Sequence, residues 1–122
     1  MVLLSRVEFA VTDFKKSLDF YLSLGFRLKS DKVNFSWGQL AVFDAGTAEV
    51  AISKNPKSPS FDSGKKSAGI VLMVEDVDNF YSQLKEAGIR PDAEPVDNPF
   101  GFRSFSVRDP DGFRLEFSKS IL

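Results

Sequence analysis

The sequence predicts an α+β fold built from two copies of one βαβββ module, and three observations carry that expectation. A strand-like alternation leads into a capped amphipathic helix in each half of the chain. Val11-Thr12-Asp13 and Gly25-Phe26 recur as Val74-Glu75-Asp76 and Gly88-Ile89, both at an offset of 63. Val50 to Lys54 recurs as Leu115 to Lys119 at an offset of 65. Such spacing exceeds the roughly 20 to 50 residues of a solenoid unit, so a single duplication is the simpler reading.

Ser5 to Val11 sets Arg6, Glu8 and Ala10 against Val7, Phe9 and Val11, the period of a strand with unlike faces. Asp13 stands where an N-cap belongs. Phe14, Leu18, Tyr21 and Leu22 then follow at helical spacing until Gly25 closes the helix as a C′ residue. Strands are expected at 26–30, 35–43 and 48–53, with 44–47 as a turn. In the second half Ala68 to Val74 is the matching strand and Asp76 the matching cap. Val77, Phe80, Tyr81 and Leu84 form the matching helix face, ended by Gly88. Asn55 to Ser67, rich in Ser, Pro, Lys and Gly, reads as a surface linker. The expected organisation is therefore one domain over 1–122, with module 1 at 1–54, the linker at 55–67 and module 2 at 68–122. Each half alone has only a one-helix core. Arg90 to Gly101 carries Pro91, Pro95 and Pro99, which makes it stiff and a poor interior strand. Asp109-Pro110-Asp111-Gly112 has the residue preferences of a type I turn, and no EF-hand pattern lines up from Asp109.

Composition narrows the function classes. The 122 residues carry 16 Lys plus Arg against 17 Asp plus Glu, a net charge of −1. Nothing uncompensated attracts phosphate backbones or anionic lipid, so nucleic acid and membrane are not expected partners. There is no Cys and no His. Thiolate nucleophiles, Ser-His-Asp triads and His-rich zinc sites are thereby excluded, and only oxygen ligands remain for a metal. No run is long and apolar enough to span a bilayer and none resembles a signal peptide, so a cytoplasmic location is expected.

Three segments together resemble the vicinal oxygen chelate superfamily, the glyoxalase, bleomycin-resistance and extradiol dioxygenase group. They are Val11-Thr12-Asp13-Phe14-Lys15-Lys16-Ser17-Leu18-Asp19-Phe20-Tyr21, then Leu24-Gly25-Phe26, and the ending Asn98-Pro99-Phe100-Gly101 through Asp109-Pro110-Asp111-Gly112-Phe113-Arg114-Leu115-Glu116. The resemblance implies paired βαβββ modules whose strands curl into a cupped mixed sheet, with helices outside and a cavity within. It also implies four strand positions that hold a divalent ion in the metal-dependent members. Carried over, these fall on Arg6, Ala51, Gly69 and Glu116, of which only Glu116 could bind a metal. A guanidinium that stays protonated would repel the ion as well. The expectation is no metal and no cofactor, with Arg6 pairing Glu116 or Glu8 instead.

Thirteen Phe, two Tyr and one Trp leave aromatic side chains to spare. Phe9, Phe14, Phe20, Tyr21, Phe80, Tyr81 and Phe117 suit core positions. Phe35, Trp37, Phe43, Phe61, Phe100 and Phe102 lie on middle strands or in loops, where they are candidates to line the cavity and stack on a ligand. The expected ligand-binding set is Arg6, Glu8, Phe35, Trp37, Gln39, Phe61, Phe100, Phe102 and Glu116, with no catalytic residue assigned. The resemblance thus implies a homodimeric, metal-independent protein that sequesters a small aromatic or antibiotic-like ligand. The alternatives are a divalent-metal-dependent glyoxalase-like lyase, isomerase or dioxygenase, and a noncatalytic interaction module.

Overall fold

A side-chain cap opens the helix of each half, and the same two-bond turn closes it. Asp13 accepts a hydrogen bond from the Lys16 backbone N–H at 3.0 Å, and Asp76 accepts one from Asn79 at 3.0 Å. At the other end Gly25 and Gly88 take φ of +93° and +85°, a region where a Cβ is unfavourable. Paired bonds then close the last turn, Gly25 N–H to Leu22 O with Phe26 N–H to Tyr21 O, and Gly88 N–H to Lys85 O with Ile89 N–H to Leu84 O. The computed structural model describes residues 4–56 and 69–122. These fall into two compact units, one within residues 1–63 and one within 64–122. Among the described residues no helix is long and apolar enough to cross a membrane.

In the first unit, β1 (Arg6–Ala10), α1 (Phe14–Ser23), β2 (Arg27–Leu28), β3 (Asn34–Phe35), β4 (Gly38–Ala45) and β5 (Ala48–Lys54) follow in order. The sheet runs β1-β5-β4-β2, with β3 also paired to β4. β1 and β5 are parallel, whereas the β5–β4, β4–β2 and β4–β3 pairs are antiparallel. Alternation sends Phe9, Val50, Ile52, Ala41 and Phe43 towards the helix, where all are buried. Tyr21 stacks on Phe43 and Phe26 at centroid distances of 5.6 and 5.9 Å.

The second unit repeats the plan with β6 (Gly69–Met73), α2 (Val77–Glu86), β7 (Val96–Asp97), β8 (Phe102–Arg108) and β9 (Arg114–Ser120). Its sheet runs β6-β9-β8-β7, again with the first and last strands parallel. Phe105, Val107, Leu115 and Phe117 form the buried face, and Phe80 packs on Phe117 at 4.7 Å. The Asp109 to Gly112 turn joins β8 to β9. Asp109 Oδ1 accepts from both the Asp111 and Phe113 backbone N–H groups at 2.9 Å, and Gly112 takes φ +92°.

Two expectations are corrected. The single strand expected over 35–43 is two strands separated by Ser36-Trp37. Gly38 sits at φ +152°, and a Cβ there would lie 2.3 Å from the Lys54 carbonyl oxygen, so only glycine fits this close crossing. Phe43, grouped with the cavity aromatics, is fully buried under α1 because it shares the helix-side face of β4 with Ala41. The Arg90 to Gly101 stretch is irregular apart from two-residue β7. Replacing Phe43 by Ala should lower stability by about 3 to 5 kcal/mol. Urea unfolding followed by far-UV circular dichroism checks this through a lower midpoint at unchanged m-value.

Candidate functional site

The sheet face of the first unit turned away from α1 carries charge. Register places Arg6 beside Glu49 and Glu8 beside Ala51 on that face, with Asp44 opposite Glu49 and Arg27 opposite Asp44. Arg6 donates through Nε at 3.3 Å and Nη2 at 3.2 Å to Glu49 Oε1, while Lys29 Nζ reaches the second oxygen, Oε2. Glu8 lies 3.8 Å from Arg6 Nη1 and accepts from Ser53 Oγ at 3.1 Å. The Lys29 hydrogen bond, reinforced by Arg6, holds the Glu49 carboxyl below the usual carboxylate range. The same bond raises the Lys29 ammonium.

On the corresponding face of the second unit, Glu116 accepts from Arg114 Nη1 at 2.7 Å. Gly69 lies opposite Arg114, and a Cβ at Gly69 would be 2.5 Å from the Arg114 carbonyl oxygen. No side chain fits there. The four positions that hold a divalent ion in metal-dependent members of the resembled group are therefore a cation, a methyl group, a bare backbone and a carboxylate already held by an arginine. These residues do not fit a metal. Among the described residues, no group of three Asp, Glu, His or Cys side chains is placed to hold one.

The other face holds a cavity. Gln39 and Lys54 sit opposite each other in register, and both follow the helix-side alternation of Ala41, Phe43 and Ile52. Around them the start of α1, the β3–β4 turn and the residues after β5 border a solvent-open pocket of about 780 Å³. Phe35 and Trp37 are stacked at 5.6 Å with an interplanar angle of 12°, and Lys32 Nζ lies 4.9 Å from the Phe35 centroid. Gln39 Nε2 donates to Asn34 Oδ1 at 3.1 Å. Lys54 Nζ donates to the Thr12 carbonyl oxygen, which ties the end of β5 to the approach to α1. Trp37 remains 46% exposed, so its ring is open to a ligand.

The expected ligand-binding residues thus separate. Phe35, Trp37 and Gln39 border the cavity, whereas Arg6 and Glu8 lie on the opposite face of the same sheet. Arg6 finds its carboxylates within its own unit, in Glu49 and Glu8, and Glu116 finds its cation in Arg114. Phe100 is 81% exposed on a turn in which Asn98 Oδ1 accepts from the Phe100 and Phe102 backbone N–H groups. Phe102 follows at the start of β8. Phe61 lies outside the described residues. No motif in the sequence marks Glu49, Lys29, Asn34, Lys15 or Lys54 as site residues. The recurrence of Lys54 as Lys119 was the one available signal.

A sequence model described as the Glyoxalase/Bleomycin resistance protein/Dioxygenase superfamily matches residues 3–117. The uncharacterized protein YraH of Bacillus subtilis (strain 168) is 30% identical, over 97% of this chain and 98% of its own length. The crystal structure of UcmS2 superposes with a TM-score of 0.82 at 26% identity, covering 98% of this chain and 99% of that one. The bleomycin resistance determinant encoded on the transposon Tn5 superposes with a TM-score of 0.75 at 21% identity, covering 99% and 100%, and shares the fold.

The Glu49 network has a pH signature. A carboxyl whose folded pKa is lowered contributes stability that is present above its unfolded value, about 4.3, and lost as pH falls through the folded value. Wild type should therefore lead Glu49→Gln in thermal midpoint near neutrality, and the gap should close on acidification. Calorimetric scans of both proteins across that range check it.

Proposed function

The chain belongs to the Glyoxalase/Bleomycin resistance protein/Dioxygenase superfamily, and from that premise we propose that it is a metal-independent small-molecule-binding protein that sequesters an aromatic ligand. The observation that carries the proposal is the cavity bordered by the stacked Phe35–Trp37 pair, with amide and ammonium groups beside it. A ring stacked there gains more than its buried area alone supplies, because offset π-faces attract and Trp37 loses little freedom on binding. Holding the ligand needs no ion, and the residues at the superfamily's ion positions offer one carboxylate that an arginine already occupies. Phe100 and Phe102 offer further stacking area, and Arg6, Glu8 and Glu116 further charge. The proposal assigns these to contacts separate from the cavity, since Arg6 and Glu8 lie on the other face of its sheet.

The proposal includes a homodimer in the cytoplasm, with both modules acting as one domain. Edge strand β6 supports the second copy. Its Val71 and Met73 are 57% and 64% exposed, although the strand reads as apolar on both faces.

Trp37 is the sole tryptophan, so its emission reports the site directly. Titration with planar aromatic compounds should change that emission saturably, with the same affinity in the presence of a chelator. Trp37→Leu should weaken binding about tenfold by calorimetry, the loss of roughly one stacking contact. Binding that disappears with chelator and returns with manganese or nickel would favour the metal-dependent alternative.

A further inference from the structure

The duplication supplies an internal comparison for the cavity. Its counterpart in the second unit lies at the same place, bordered by Glu75, Asp76, Asp78, Arg103 and Lys119, and encloses only about 190 Å³. The correspondence is residue by residue. Lys54 donates to the Thr12 carbonyl and Lys119 to the Glu75 carbonyl. Gln39 is in register with Lys54 and Asn34, as Arg103 is with Lys119 and Asp97. The offset of 63 that aligns the two caps sets Lys15 against Asp78.

What differs is the plug. In the second unit Arg103 forks onto Asp78, through Nε at 2.9 Å and Nη2 at 2.8 Å, and reaches Asp97 through Nη1 at 3.0 Å. A bidentate guanidinium thereby closes the space between helix and strand. In the first unit the same three positions are Gln39, Lys15 and Asn34. The amide pair satisfies itself with one hydrogen bond, and Lys15 turns along the helix to Asp19 at 3.0 Å. Among the described residues no hydrogen bond or ion pair joins Gln39 to Lys15, and the cavity is the larger of the two.

We infer that Gln39 and Lys15 are the residues that make the first module's cavity a binding site, and that its ligand is a planar aromatic carboxylate. This rests on the reading of that cavity as the ligand site and adds the ligand's class. The Phe35–Trp37 stack supplies the flat surface. Lys54 has three N–H donors, of which the Thr12 carbonyl takes one. Lys15 adds a second ammonium through a surface ion pair that is easily exchanged. Among the described residues at the border, Asp13 is the one acidic side chain, and its Oδ1 accepts the α1 capping bond from the Lys16 backbone N–H. Gln39 Oε1 and the Asn34 amide N–H groups remain for polar ring atoms.

The test uses 2-naphthoate and its neutral analogue 2-naphthamide on the full chain, by calorimetry and by the Trp37 indole resonance. 2-Naphthoate should shift that resonance and bind about tenfold tighter than the amide, as a charge-assisted contact requires. Transplanting the plug as Gln39→Arg with Lys15→Asp should weaken 2-naphthoate at least about tenfold without lowering the thermal midpoint. Gln39→Arg alone is the second variant should the pair fold poorly, and Lys54→Met should bring the acid down to the amide's affinity. Equal affinity for acid and amide, with Trp37 shifted by both, would overturn the carboxylate assignment while leaving the cavity a ligand site. Undiminished 2-naphthoate binding in both plug variants would overturn the role of Gln39 and Lys15. A Trp37 resonance untouched by either compound would count against the ligand class and the site together.

Discussion

The parallel pairing of the first and last strand in each module is the constraint on which the other features depend. It commits the chain to a crossover through one helix, because parallel neighbours cannot be joined by a tight turn. It also sorts side chains by parity. β1 against β5 puts Arg6 beside Glu49 and Phe9 beside Ile52, so one face becomes ionic and the other apolar. A slip of one residue would bury the charges and expose Phe9. The Lys54–Thr12 and Lys119–Glu75 bonds fasten the strand ends where each crossover begins.

On that shared frame the two modules have diverged at a few positions. In the second, Arg103, Asp78 and Asp97 convert the space beside the helix into a closed ion-pair cluster, and the hydrogen bond from Arg103 holds Asp78 below the usual carboxylate range. In the first, uncharged amides leave room, and an aromatic pair borders it. The faces turned away from the helices diverge differently. Arg6 and Lys29 share Glu49, whereas Arg114 lies along a strand made passable by Gly69. Each network neutralises its own carboxylates locally, Glu8 and Glu49 through Arg6 and Lys29 and Glu116 through Arg114.

Much of the fold was legible because the signals were local and repeated. The Asp13 and Asp76 caps, the Gly25 and Gly88 endings and the Asp109 to Gly112 turn each follow from the chemistry of a few adjacent residues. Others needed tertiary information. Gly38 looks permissive inside a strand pattern, and only the approach of Lys54 shows why it breaks the strand. Phe43 and Trp37 are both aromatic residues in one segment, yet parity and the Gly38 turn bury the first and expose the second. Lys15 reads as solvated surface until it is set against Asp78. Gln39 likewise separates from Arg6 and Glu8 only when strand register assigns it to the other face of the sheet.

The proposed binding by shape, stacking and fixed charge needs no divalent ion. Its most direct test is elemental analysis of the protein purified without chelator from cells supplied with manganese, iron, nickel and zinc. The account predicts no stoichiometric metal in a preparation that still binds its aromatic ligand. One equivalent of a single divalent ion per chain, lost together with ligand binding on dialysis against chelator, would contradict it.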